Sequence, residues 1–281
     1  MKKLLYVCLV LLFPSLAPAQ ESPQKPEVPI DKWARKTIML IGAHADDDAM
    51  SHGTLAMLQA HGNQIYIVTL TTGNVGTQDP DLSRTQLAEI RRQEELAALA
   101  ALGIPGEHYI NLGYDDGLLE FEDRKAVLER LVRLIRTIRP DVLFAFDPGK
   151  RYQRWHKSDH RTASYLAADA ARAAMWRLLF EGQIVQDGLK EYTIPEYMFY
   201  DGAHEDENIW VDISEFVEKR VNGGARYVSQ FGPGWKNYKP HLSEVEVKQM
   251  KDSVRASIRM KDGSPVEGFR YYKGLPDSIG K

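Results

Sequence analysis

Residues 37–58 read TIMLIGAHADDDAMSHGTLAML, an apolar run that stops abruptly at His44, Asp46, Asp47 and Asp48. From Ile38 to Ala43 there is no polar alternation, the pattern of a strand covered on both faces within a parallel sheet. One imidazole and three carboxylates therefore stand at the carboxyl end of a buried strand, the edge at which open α/β sheets bind ligands. Adjacent acids raise one another's pKa unless a cation or hydrogen bonds compensate, so the cluster reads as a metal site. An Asp ahead of a helix is ordinarily an N-cap, and Asp48 before AMSHGTLAMLQA answers to that description. Capping does not account for His44 together with Asp46 and Asp47.

Outward from this stretch, strand and helix alternate. Residues 49–60 read as a helix, and 65–71 as a second strand that opens into Thr72-Gly73-Asn74-Val75-Gly76. A long helix over 82–102, with Gly103 as its C-cap, precedes a third strand at 108–112 and the loop Gly113-Tyr114-Asp115-Asp116-Gly117. A helix over 123–139 stops at Pro140, residues 141–147 form another buried strand, and an Ala-rich helix follows over 161–179. Such alternation predicts an α/β fold: a Rossmann-like, mainly parallel sheet with right-handed crossovers and helices on both faces. Beyond Gly188 the pattern becomes a mixed α/β C-terminal extension, with strands at 191–200, 207–213 and 268–272 and helices at 214–222 and 243–260. Between them, Tyr227, Phe231, Trp235 and Tyr238 either line a sugar-binding rim or tie the tail to the core.

The N-terminal end has a different character. Lys2 and Lys3, the apolar residues 4–12 and the small residues of Ala17-Pro18-Ala19 are the three regions of a secretory signal peptide over 1–19. Its apolar run is too short to span a bilayer, so no stable membrane insertion is expected after cleavage. An uncleaved anchor is the alternative. The expected location is periplasmic or secreted. Residues 20–36 carry three prolines and read as a linker docked through Trp33, and 37–281 form one domain. The only cysteine is Cys8, inside the signal, so the mature chain has neither disulfides nor thiolate ligands. Removing Lys2 and Lys3 from 36 basic residues leaves 34 against 39 acidic ones, a net charge of −5. That sign does not favour a nucleic-acid partner, which would need a basic face, and none is expected.

His160 also follows a buried strand and opens a helix. With the two strands close in the sheet, His44, Asp47 and His160 converge as two imidazoles and one carboxylate. That set suits zinc with open positions for water. It equally describes the facial triad of non-haem iron. Asp46 separates the two chemistries, because a carboxylate facing a metal-bound water is a general base for hydrolysis.

Six segments carry a resemblance: Ala43-His44-Ala45-Asp46-Asp47-Asp48, Arg91-x-x-Glu94, Leu112-Gly113-Tyr114-Asp115-Asp116-Gly117, Arg139-Pro140-Asp141, Ser158-Asp159-His160-Arg161 and Glu267-Gly268-Phe269. Together, over roughly 36–272, they resemble the LmbE/PIG-L family of zinc-dependent N-acetylglucosaminyl deacetylases. Its first motif is A-H-P-D-D-E, here with Ala for Pro and Asp for Glu, and its second is H-x-D-H-R. The resemblance implies Zn²⁺ held by His44, Asp47 and His160, Asp46 as base, and Arg91 with Asp115 or Asp116 on sugar hydroxyls. Asp48 and Asp159 would support the ligands from outside. The family's other His stands where this chain has Lys157; His156, one residue earlier, is the expected oxyanion donor. A single Gly53 replaces the expected glycine pair. His52, His61, His108, His204 and His241 match no motif and are expected at the surface or in the core.

The implied function is that of a secreted zinc-dependent hydrolase removing an N-acetyl or other N-acyl group from an amino-sugar substrate. Two rivals remain. A magnesium-dependent phosphoryl-transfer or receiver-like domain would also cluster Asp residues at a strand end, but it leaves His44 and His160 unexplained and lacks a phosphate-cradling Gly loop. A secreted carbohydrate-binding protein could keep the fold without catalysis.

Overall fold

The computed structural model describes residues 24–149 and 157–274. The signal segment 1–19 and His156 lie outside the described residues. Strands β1 (Thr37–Gly42), β2 (Gln64–Thr71), β3 (Tyr109–Tyr114), β4 (Val142–Phe146), β5 (Glu196–Tyr200), β6 (Ile209–Asp212), β7 (Arg259–Lys261) and β8 (Ser264–Lys273) form one sheet. Its order is β3-β2-β1-β4-β5-β8-β6, with β7 also paired to β8. The first five strands run parallel, and β8 pairs antiparallel with β5, β6 and β7. This is the expected mainly parallel α/β sheet with a mixed extension.

The order reverses direction at β1, which lies between β2 and β4 with Ile41 opposite both Val68 and Ala145. The loops after β1 and β4 thus leave the same edge side by side. Ile38, Met39, Leu40, Ile41 and Phe144 have no exposed surface, and burying each such side chain is worth about 1.5–3 kcal/mol.

Helices α1 (His52–Ala60), α2 (Arg84–Leu102), α3 (Arg124–Ile138), α4 (Ser158–Ala174), α5 (Glu181–Val185), α6 (Val217–Gly224) and α7 (Glu244–Ala256) complete the fold. Right-handed crossovers place α1 and α2 on one face and α3 and α4 on the other. The packing agrees: α3 lies on α4, and α1 and α2 lie on α6. Ser83 and Gln86 make a reciprocal capping box at the start of α2, and Gly103 ends that helix at φ 90°. None of the described helices is long and apolar enough to cross a membrane.

Several boundaries differ from the sequence reading: β5 begins at Glu196, not 191, and the helix expected over 243–260 ends at Ala256, with Arg259–Lys261 forming β7. Three further differences have clear physical reasons. Asp47–Ser51 is a 3-10 turn, so α1 begins three residues later than expected. Its N-terminal Gly53 and Thr54 N–H groups donate to the Glu267 carboxylate of β8 at 2.9 and 2.8 Å. Asp48 is therefore not the cap. α4 starts at Ser158, placing His160 in its first turn, and ends at Ala174 instead of Leu179. Buried Arg136 donates there to the carbonyls of Ala174, Trp176, Leu179 and Phe180 and turns the chain away. Finally, β8 is twice the length expected, because successive parts of it pair with β7, β6 and β5. Trp33 is buried in the core and its carbonyl accepts from the Asn63 side-chain amide at 2.8 Å, so it docks the preceding segment on the domain.

Candidate metal centre

The loop after β1 turns back on itself at Asp47. Its Oδ2 accepts from the N–H groups of Ala43 and His44, both at 2.7 Å. A Cβ on Gly42 would stand 3.0 Å from the Asp47 Cβ, so the last strand residue must be small for this return. The other oxygen, Oδ1, lies 3.2 Å from His160 Nε2, while Oδ2 lies 3.6 Å from His44 Nδ1. Phe146, at the end of β4, stacks on the His160 ring with centroids 4.3 Å apart. One donor atom from each of His44, Asp47 and His160 falls within 4.8 Å of the others. Two imidazole nitrogens and one carboxylate oxygen, converging without a thiol, fit a divalent cation of zinc type.

The opposite nitrogen of His44 faces a second acidic pair. His44 Nε2 is 3.0 Å from Asp116 Oδ1 and 3.3 Å from Asp159 Oδ2. Those carboxylates also satisfy a metal-site geometry with His44. A ligating histidine commonly gives its other ring N–H to a carboxylate, which fixes its tautomer and orientation. Asp116 and Asp159 fill that position. Asp159 is itself held by N–H groups of Gly117, at 2.7 Å, and Leu119, at 3.3 Å, which ties the loop after β3 to the start of α4. Burial opposes charge on His44, but Asp47, Asp116 and Asp159 outweigh it and raise its pKa well above the ordinary value. Burial likewise resists ionisation of Asp47, yet His160 and His44 hold its carboxyl below the usual range. The same negative field attracts a cation to the point where these side chains meet.

Asp46 adopts a left-handed backbone, φ 96° and ψ −16°, and lines the same cleft as His44, Asp47 and His160. Burial, reinforced by the Asp47 carboxylate, pushes the Asp46 carboxyl up against the pull of Arg91 and His44. Arg91 is buried, donates to Gly76 O at 2.8 Å, and lines the cleft with Asp116 and Gly76.

The structure separates the two acids proposed for sugar hydroxyls. Asp115 is turned out of the cleft, where it accepts from Asn74 at 2.8 Å and pairs with exposed Arg84 at 2.9 Å. Asp116 is inside, against His44. Asp48 is buried beneath the loop, 3.0 Å from His52 Nε2 and accepting from the Tyr227 hydroxyl at 3.0 Å. Tyr227 thus ties the C-terminal half to the core, whereas Phe231 lines the cleft.

The cleft measures about 1100 Å³ and runs from the metal centre past Met50 to Phe231, Pro233 and one side of α7. The sequence reading missed Asp147, Arg270, Arg220 and Glu95, which hold this site together, and quoted Glu267 only as part of a motif without a role. Asp147, just past β4, pairs bidentately with Arg270 of β8 at 2.8 and 2.6 Å and accepts from Gly149 N–H at 2.7 Å. Glu267 pairs with Arg220 of α6 as well as capping α1. Glu95 accepts from the Asp46 N–H at 3.3 Å. A clue lay in α2: Arg91, Glu94 and Glu95 share a face with Leu87, Ala98 and Leu102, and charges on an apolar stripe must be partnered inside.

Residues 39–171 match the GlcNAc-PI de-N-acetylase (PIG-L) family. Over 242 residues the chain is 28% identical to the diacetylchitobiose deacetylase of Thermococcus kodakarensis, covering 85% of this chain and 84% of that one. Its fold superposes with a TM-score of 0.73 on the N,N'-diacetylchitobiose deacetylase of Pyrococcus horikoshii, at 26% identity and over 87% and 86% of the two chains. It also superposes on the 4-carboxy-2-hydroxymuconate hydratase of Pseudomonas putida KT2440, with a TM-score of 0.63, 18% identity and 87% and 99% coverage. That last likeness concerns the scaffold alone, so the reaction must be argued from the side chains.

Proposed function

The chain carries a PIG-L-family domain over residues 39–171, and from that premise we propose that it is a secreted, zinc-dependent hydrolase that removes the acyl group from an N-acylated amino sugar. The observation that carries this reading is Asp46: a cleft-lining acid on a left-handed backbone, beside the converging donors of His44, Asp47 and His160. A receiver-like or phosphoryl-transfer site has no use for the paired imidazoles. A binding protein has no use for a carboxylate strained into this position.

His44, Asp47 and His160 would hold the cation, with Asp116 and Asp159 fixing the His44 ring from its far side. When bound, zinc supplies Lewis acidity to a water and to the amide carbonyl and offsets the negative field that favours the protonated form of Asp46. The Asp46 carboxylate accepts the proton of the attacking water and returns it to the nitrogen of the departing amine. Arg91, braced on Gly76, and the cleft face of the loop after β3 orient the sugar. His156 is the proposed donor to the developing oxyanion, a role worth about 3 kcal/mol for one well-placed group. Export rests on the signal-like residues 1–19 and directs the activity to glycans outside the cytoplasm.

The test is acetate release from a panel of N-acetylated mono- and disaccharides by zinc-loaded protein, with the metal-stripped protein as control. Turnover that depends on zinc supports the reading. A fully loaded protein that releases no acid from any member of the panel, yet binds some of them, would instead indicate a carbohydrate-binding protein.

A further inference from the structure

The catalytic steps above leave unused the buried polar layer beneath Asp46. The Asp46 backbone sits in a region that residues with a Cβ rarely adopt, so something must hold it there. Its N–H donates to Glu95 Oε2, and Glu95 is wholly buried in α2. The hydroxyl of Tyr227, also wholly buried, lies 2.9 Å from the same Glu95 oxygen and 3.0 Å from Asp48 Oδ1. Asp48 Oδ2 in turn lies 3.0 Å from His52 Nε2. Room for that imidazole exists because α6 has Gly223 there: a Cβ would stand 2.7 Å from His52 Nδ1. The layer thus spans four segments, the loop after β1, the start of α1, the middle of α2 and the chain after α6.

We propose that Tyr227 is a positioning residue for Asp46, acting through Glu95, and that the short Asp48 in place of the motif's Glu is what makes room for the Tyr227 hydroxyl. One phenolic proton serves one acceptor at a time, so the hydroxyl links two carboxyl groups only if one of them keeps its own proton. Burial, followed by the charge of Asp48, raises the Glu95 pKa well above the ordinary value, the direction that favours a proton there. A longer side chain at 48 would drive its carboxylate into the space the phenol occupies. Position 48 and position 227 are therefore a matched pair, one short acid with one long phenol. Removal of the hydroxyl frees Glu95, and with it the hydrogen bond that holds Asp46 at positive φ.

This inference rests on the hydrolytic reading for its assay but not for its geometry. In the zinc-loaded full chain, Tyr227→Phe should lower kcat by about 10- to 100-fold, the usual effect of removing an outer-shell partner, with KM and zinc content unchanged. Asp48→Glu should lower kcat similarly. The Asp48→Glu/Tyr227→Phe double variant should be more active than either single one, since the longer carboxylate then fills the vacated space. Glu95→Gln, which retains a neutral acceptor for the Asp46 N–H, should lose less than about tenfold. Losses that add in the double variant, or a Tyr227→Phe enzyme with full kcat, overturn the pairing. Crystal structures of the same zinc-loaded variants read it independently: φ of Asp46 should leave the left-handed region in each single variant and return in the double. A wild type inactive on every acylated sugar would sink the function alone, because that angle still decides the positioning.

Discussion

Replacing Glu267 with Ala tests how far the C-terminal strand supports the metal-site loop. The carboxylate is 3% exposed; it accepts from Gly53 and Thr54 at the start of α1 and pairs with Arg220, which is itself 8% exposed and donates to Met50 O at 3.2 Å. Truncation leaves a buried guanidinium without its counter-ion, and losses of that kind cost about 3–5 kcal/mol. It also orphans two helix N–H groups at the end of the turn that carries Asp46 and Asp47, although the two costs overlap and do not simply add. For a domain of this size about 3–5 kcal/mol lowers Tm by roughly 6–20 °C. Urea unfolding of the wild type, Glu267→Ala, Arg220→Ala and the double variant measures both the loss and the coupling. The double variant should be less damaged than the sum of the singles, since it removes both charges. A loss of less than about 1 kcal/mol in Glu267→Ala, or strict additivity, would refute a buried, partnered role for this carboxylate.

Two further outcomes follow from the site and its rim. Asp46→Asn should retain zinc but lower turnover by about 10²- to 10⁴-fold, whereas Asp47→Asn should weaken zinc binding and recover part of its activity in excess metal; elemental analysis with kinetics separates them, and equal metal loss would mean the roles are misassigned. Glu207 pairs with Arg259 at 2.6 and 2.9 Å and with His204 at 3.1 Å, and although burial resists, these partners hold its carboxyl below the usual range. A depressed carboxylate contributes stability above its unfolded pKa that is lost as pH falls through the folded one. Glu207→Gln should therefore be less stable than wild type at pH 7 and converge with it towards pH 3; thermal melts showing a constant difference across that range would contradict the linkage.

The half of the site built by strand ends was legible in the sequence. An unbroken apolar run places Ile38 to Ile41 inside a parallel sheet, and once β1 and β4 lie side by side the residues that follow them must meet. Local order cannot reveal which acid faces which way. Asp115 and Asp116 are neighbours in one loop, and only the Asn74 and Arg84 contacts outside and the His44 contact inside distinguish them. The partners of the supporting residues were illegible for another reason: Glu267 reaches Gly53 across 214 positions, and Tyr227 reaches Asp48 across 179. No periodicity encodes such pairs. The buried face of α2 came nearest to announcing them, since Glu94 and Glu95 occupy positions where water cannot solvate them; Glu94 is satisfied by Ser229, through its N–H and hydroxyl, both at 2.7 Å.

Strand β8 also limits how the chain can be recombined. It sends Glu267 to the start of α1 and Arg270 to Asp147 at the end of β4, while pairing with three other strands. The segment that matches the family, 39–171, is consequently not a cassette that can be lifted out with its chemistry intact. A crossover between this chain and a relative, placed anywhere from 172 to 263, takes Gly53 and Asp147 from one parent and Glu267 and Arg270 from the other. Chimeras should keep a working loop where the C-terminal parent supplies a carboxylate in place of Glu267 and a guanidinium in place of Arg270, and those lacking either should lose it even though every proposed zinc ligand is present. Exchange of the C-terminal half is subject to the same rule, because the cleft wall formed by α7 and the brace behind the loop after β1 are inherited as one piece.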